Sequence, residues 1–170
     1  PEYYRGMAMV HWTLTLDQRA IGWLQALFHA RFREILLHTC CRYGLCCPVY
    51  CLMPDHLHQI WLGEKQSANQ LFAMRFFRQQ VARWLHPFKL QKQAYDNVLR
   101  EKDREQDAFR ATCFYILENP VRAGLVTNAK EWEFSGCMMP GFPDLHPLDE
   151  RFDRVFWGRY SDLARGNTPP

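Results

Sequence analysis

The sequence predicts an α+β fold, and three observations predict it. Residues 9–16 alternate apolar and polar side chains, residues 48–62 hold two strand-like runs broken at Pro54-Asp55, and later segments repeat their apolar residues at helical spacing. The chain of 170 residues has the size of one domain, and 48% hydrophobic with 15% aromatic content suffices to build a core.

The elements follow in order. Val10, Trp12, Leu14 and Leu16 alternate with His11, Thr13 and Thr15, the pattern of a half-buried strand. Ile21, Leu24, Phe28, Phe32 and Ile35 then recur at helical spacing, and this helix should end near residues 40–44. Residues 48–53 and 56–62 read as a hairpin turned at Pro54-Asp55. Ser67 and Gln70 have the spacing of a capping box for a helix reaching Leu85, with Leu71, Met74, Phe77, Val81 and Trp84 as its apolar stripe. His86-Pro87 stops it. Residues 95–100 read as a short strand. Residues 107–118 read as a helix with Phe109, Cys113 and Ile116 on one side, closed by Pro120 and Gly124. The order β-α-β-β-α-β-α is the split β-α-β arrangement of a ferredoxin-like or RRM-like antiparallel sheet with an added C-terminal helix. After Trp132 the chain turns Pro-rich, so residues 1–135 read as the domain and residues 136–170 as an extension wrapped on its surface.

Composition narrows the function classes. No apolar run approaches the roughly 18 residues of a membrane span, and residues 1–16 lack the pattern of a secretory signal. The first methionine is Met7, which reads as a lost natural start. The expectation is a soluble, cytoplasmic protein. Five of seven cysteines cluster (Cys40, Cys41, Cys46, Cys47 and Cys51), yet no C-x-x-C pair exists and the count is odd. They read as reduced thiols serving as small hydrophobes, ahead of a structural zinc site. Net charge is +3, but Arg75, Arg78, Arg83, Lys89, Lys92, Arg100, Lys102 and Arg104 outnumber Asp96, Glu101 and Asp103 in one stretch. A solvated face would look the same, and the excess tilts only mildly towards a polyanionic partner.

Two features carry chemistry. His56 and His58 flank Leu57 on a predicted strand, so both imidazoles project from one face and can share a metal ion. Alone, such a pair is more often a surface feature than a metal site. Tyr115 and Asn119 lie four residues apart on the last helix, on one side and off its apolar stripe. Asn119 alone would serve as a helix cap before Pro120.

Met53-Pro54-Asp55-His56-Leu57-His58, followed by Tyr115-Ile116-Leu117-Glu118-Asn119-Pro120-Val121-Arg122-Ala123-Gly124-Leu125-Val126, resembles the HUH single-strand DNA transposases. Within these the chain looks most like the REP-associated tyrosine transposases. Tyr95-Asp96-Asn97-Val98-Leu99-Arg100 and Glu131-Trp132-Glu133-Phe134-Ser135 add to the resemblance, which covers residues 3–135. It departs from the family pattern at Leu90-Gln91, where a Trp-Gln pair is usual, and at Asn97, where histidine is frequent.

The resemblance implies a metal-dependent enzyme that cleaves and rejoins single-stranded DNA at REP-like hairpins through a 5′-phosphotyrosine. Tyr115 would be the nucleophile, and His56, His58 and Asn119 the ligands of Mg²⁺ or Mn²⁺, hard-to-borderline ions suited to imidazole and amide donors. Arg75, Arg78, Arg83, Lys92 and Arg100 are the candidate DNA contacts. The partner would be single-stranded DNA with a hairpin, bound by a monomer or homodimer on the nucleoid. The alternative is a non-catalytic or domesticated nucleic-acid binder of RRM-like fold, although the aromatic RNP1 pattern of such domains is missing.

Overall fold

The computed structural model describes residues 2–165. Five strands, β1 (Met9–Thr15), β2 (Leu45–Leu52), β3 (His56–Gly63), β4 (Tyr95–Val98) and β5 (Ser135–Met138), form one antiparallel sheet in the order β4-β1-β3-β2-β5. Helices α1 (Ala26–Tyr43) and α2 (Gln70–Leu85) cover one face. Helices α3 (Gln106–Leu117) and α5 (Phe152–Ala164) cover part of the other, and the short α4 (Asn119–Arg122) continues from α3. The first four strands have the ferredoxin-like order that the sequence implies.

Period two sorts the side chains. Val10, Trp12 and Leu14 of β1, with Leu57 and Trp61 of β3, enter the core under α1 and α2. Met9, Ile60 and Leu62 face α3 and α5 instead, together with Cys46, Val49 and Cys51 of β2. His11, Thr13, His56 and His58 share that second face by register. β2 is buried along its whole length, and Pro48 is tolerated there because the pairing shifts register around it.

Several boundaries differ from the sequence reading, each for a local reason. α1 begins at Ala26, not near Ile21: Gly22 takes a positive φ of 97°, Ile21 is exposed, and Trp23 is buried with its indole N–H donating to the Pro54 carbonyl at 2.6 Å. Gly44 ends it in the left-handed region, with its N–H bonded to the Cys40 carbonyl. The cap of α2 is Asn69, whose side chain accepts from the N–H groups of Leu71 and Phe72, so the proposed Ser67 capping box is incorrect. Gln70 turns inward instead. Its amide is fully buried, accepts from the Trp12 indole at 3.0 Å and donates to the Ala8 carbonyl at 2.7 Å. Leu71 and Trp84 of the expected stripe are exposed, while Ala73 and Leu85 take their places in the core.

Beyond Trp132 the sequence shows no element, but the structure forms two. β5 pairs with β2 and is buried throughout; α5 stacks Phe156 on Phe109 of α3 with ring centroids 4.7 Å apart. A four-residue strand is too short to display alternation, and one 13-residue helix after a Pro-rich turn is easily overlooked. Glu64, just past β3, is bound by the Arg159 guanidinium of α5, with Nη2 to Oε2 at 2.8 Å, and both side chains are largely buried. Arg159 Nη1 also donates to the Pro140 carbonyl at 2.7 Å.

Breaking such a buried pair strands one charge. Arg159→Ala should therefore lower unfolding free energy by about 3 kcal/mol in urea titrations; a loss below about 1 kcal/mol, the range of an exposed pair, would show that α5 is not tied to the core in this way. A second expectation concerns acid. His29 of α1 lies 3.0 Å from the Tyr50 hydroxyl, and burial followed by the Arg33 charge lowers its pKa from 6.5 to about 4. Between these values the unfolded chain binds a proton that the folded chain refuses, so this stability is complete above pH 6.5 and is lost as pH falls towards 4. His29→Gln should flatten that part of a stability–pH curve; an unchanged slope would contradict the assignment.

Candidate metal centre and nucleophile

β3 presents His56 and His58 side by side where the covering layer of α3 and α5 runs out. Their Nε2 atoms face each other at 3.1 Å, with the rings nearly perpendicular at 89°. Each ring is held at its outer nitrogen. His56 Nδ1 lies 2.6 Å from Asp55 Oδ1, and Arg19 donates to the other carboxylate oxygen at 3.0 Å. His58 Nδ1 lies 3.1 Å from Thr13 Oγ1 and 3.2 Å from His11 Nε2. Asp55, read from sequence as a turn residue, is therefore also a partner of His56.

The electrostatics keep the inner imidazole available as a ligand. Burial, aided by the charges of His56, His11 and Arg122, lowers the His58 pKa to about 3, against a small opposing effect of Asp55. Burial likewise lowers His11. Burial of Asp55 opposes ionisation, but its bonds to His56 and Arg19 outweigh it and hold the carboxyl below its ordinary value. A neutral imidazole with a free lone pair is the form a metal binds.

The donor set fits a divalent ion. Two cis ligands of an octahedral ion with bonds of about 2.1 Å sit about 3 Å apart, close to the 3.1 Å between the two Nε2 atoms. A shared proton would suit the same spacing. Among the described residues no three His, Cys, Asp or Glu side chains group to hold a metal. Six cysteines are buried and Cys41 is exposed; all are free thiols. Burial pushes Cys51, beside His58 in register, up to about 12, which suits packing and not ligation.

Tyr115 and Asn119 sit at the junction of α3 and α4. Asn119 Nδ2 donates to the carbonyls of Tyr115 and Ile116 at 3.3 and 3.0 Å. Arg122, which sequence reasoning did not single out, joins the pair: its Nη2 donates to Asn119 Oδ1 and to the Tyr115 carbonyl, both at 2.8 Å, and its guanidinium lies 4.1 Å from the Tyr115 ring centre. The same cation is near enough to act on His58 and Cys51. α3 packs on β2 across the face that carries the histidines. The charge of Arg122 is thus felt at His58, and no hydrogen bond joins the two halves directly among the described residues. A spacing of seven residues from Tyr115 and three from Asn119 was the available signal for Arg122.

Tyr95 is a second exposed tyrosine, 67% against 58% for Tyr115, so exposure alone does not favour Tyr115 over Tyr95 as a nucleophile. Tyr95 pairs with Thr13 on the edge strand and so lies on the histidine face, two strands from His58. The candidate DNA contacts divide. Lys92 and Arg100 are exposed on either side of β4. Arg75, Arg78 and Arg83 belong to α2, on the opposite side of the sheet from the histidines. Arg78 Nη2 is engaged by the Gln91 and Lys92 carbonyls, and burial lowers its pKa, which gives it a structural task.

A ferredoxin-like sheet with paired strand histidines and a tyrosine helix on the same face is the class of fold that the HUH resemblance implies. No family model matches the chain. In sequence it is similar to a protein of Haemophilus influenzae that carries the provisional name REP-associated tyrosine transposase, at 24% identity over 167 aligned positions, covering 89% of this chain and 88% of that one. In fold it is similar to a REP-associated tyrosine transposase solved bound to a REP hairpin, with a TM-score of 0.65 and 21% identity, covering 99% of this chain and 87% of the other. The resemblance read from the motifs is therefore found again in a curated sequence and in a solved fold.

Proposed function

We propose that the chain is a REP-associated tyrosine transposase, which cleaves and rejoins single-stranded DNA beside hairpin sites with Tyr115 as nucleophile and His56, His58 and Asn119 as ligands of Mg²⁺ or Mn²⁺. The observation that carries this reading is the convergence of two Nε2 atoms at 3.1 Å, each ring held at its outer nitrogen. The names of the two relatives supply the activity and the hairpin as substrate class.

When bound, the ion would polarise the scissile phosphate and offset charge in the transition state. Tyr115 forms a bond from its phenol oxygen to phosphorus as the bond from phosphorus to the 3′ oxygen breaks. The phenol gives up its proton, and the departing 3′ oxygen gains one. The 5′ phosphate stays on Tyr115, and attack by a 3′ hydroxyl reverses each change and frees the tyrosine. One phosphodiester replaces another, so rejoining needs no ATP. Arg122 restricts the phenol ring by lying over it and directs a cation to where the phosphate would enter, an orienting and electrostatic contribution.

α3 packs on β2, so within one chain the helix that carries Tyr115 lies over the sheet face that carries the histidines. Lys92 and Arg100 border the site's face and suit the single-stranded flank, while the exposed Arg75 and Arg83 across the sheet suit a hairpin stem curling round its edge. Among the described residues no helix is long and apolar enough to cross a membrane, in keeping with work on chromosomal DNA in the cytoplasm. One observation favours a second reading: Tyr95, exposed on the open sheet face, is placed as stacking aromatics are in non-catalytic RRM-like binders.

The two readings part at a covalent bond. With a labelled hairpin bearing a single-stranded flank and Mn²⁺, the wild type and Tyr95→Phe should form a denaturant-stable adduct. Tyr115→Phe should bind the hairpin within about twofold of wild type and form none, and His56→Ala should also form none. An adduct surviving in Tyr115→Phe, or mapped to Tyr95 by mass spectrometry, would overturn the mechanism; no adduct from wild type on any hairpin would favour the binder.

A further inference from the structure

His11 stands apart from the three ligands that the motifs imply, yet it touches one of them. β1 and β3 pair with Thr13 opposite His58 and His11 opposite Ile60, so His11 lies diagonally from His58 on the same sheet face. Its Nε2 is 3.2 Å from His58 Nδ1, and Thr13 Oγ1 is 3.1 Å from that same nitrogen. The two groups meet the edge of the imidazole opposite the one turned to His56. That position rules out both as ligands of an ion shared by the two Nε2 atoms, and it gives them another use.

An imidazole that ligates through Nε2 carries its proton on Nδ1, and the group that accepts this proton fixes the tautomer and the ring's aim. For His56 the acceptor is Asp55, a carboxylate braced by the exposed Arg19. His58 lies mid-sheet, between Thr13 and Cys51 of the flanking strands and next to the buried Ile60 on the same face. A carboxylate there would carry a large desolvation cost without a cation of its own. Neutral acceptors avoid that cost, and the structure supplies two: a threonine hydroxyl and the lone pair of a second imidazole.

We propose that Thr13 and His11 together are positioning residues for His58, holding its Nδ1–H so that its Nε2 lone pair is directed at the divalent ion. This rests on the metal reading given above. His11 can act in this way only with its own proton on Nδ1, leaving Nε2 as acceptor. Neither residue touches DNA or the reacting atoms in this role. The sequence carries no trace of it, because His11 is 47 residues from His58 and only strand register brings them together.

Calorimetric titration of the full chain with MnCl₂, without DNA, tests the inference independently of catalysis. Thr13→Val combined with His11→Phe should weaken Mn²⁺ binding about 10- to 100-fold, the usual effect of removing such outer partners, while circular dichroism stays unchanged. Thr13→Ser and His11→Gln keep an acceptor atom and should bind within about threefold of wild type. Wild-type affinity in the double variant, with binding lost in His58→Ala, would overturn the positioning role and leave the ligand assignment standing. Unchanged affinity in His58→Ala would overturn both. If the double variant does not fold, ¹⁵N spectra of the Mg²⁺-loaded wild type decide: a protonated Nδ1 on His58 is expected, and a bare one contradicts the proposal.

Discussion

The antiparallel pairing of β1 with β3 is the constraint on which the rest of the structure depends. It sets Thr15 opposite His56 and Thr13 opposite His58 at the centre of the sheet. A one-residue slip would turn every one of these side chains to the other face. Such a slip is blocked because Val10, Trp12, Leu14, Leu57 and Trp61 all enter the core beneath α1 and α2. The hydrophobic face therefore fixes the polar one. The histidines point towards α3 because their neighbours in sequence must point away from it.

The second face is only partly covered, and that incompleteness makes the site. α3 and α5 close over Met9, Ile60, Leu62 and the cysteines of β2, and the clamp between Arg159 and Glu64 ties α5 to the end of β3. Towards His56 the cover stops. His58 is buried enough to remain neutral, while Tyr115 stays open to solvent on its helix. The proposed ligand, which must stay unprotonated, and the proposed nucleophile, which must be reached, would thus both be supplied by one boundary between packed and open sheet.

Much of this was legible in the sequence, where period and spacing carry the information. The alternation through Val10, Trp12 and Leu14, the hairpin around Pro54-Asp55, and the Phe109, Cys113 and Ile116 stripe all specify elements that the structure contains. The pairing of His56 with His58 follows from strand period alone. The missed features depend on distance in three dimensions. Gln70 looks like half of a capping box until Trp12 and Ala8 are brought to it. His11 looks like an outward polar residue until β3 lies beside it, and Arg122 like a helix-end cation until it is found against the Tyr115 ring. Arg75 and Arg83 belong to the same basic stretch as Lys92 and Arg100, yet the sheet stands between the two groups.

Two Nε2 atoms of one strand are proposed to share a divalent ion. Pulsed electron paramagnetic resonance on the Mn²⁺-loaded full chain tests it directly, since a ligating imidazole nitrogen couples to the electron spin and a distant one does not. The account predicts two coupled imidazole nitrogens in the wild type, and no more than one in either His56→Ala or His58→Ala. A spectrum with only water protons coupled to the ion would contradict it.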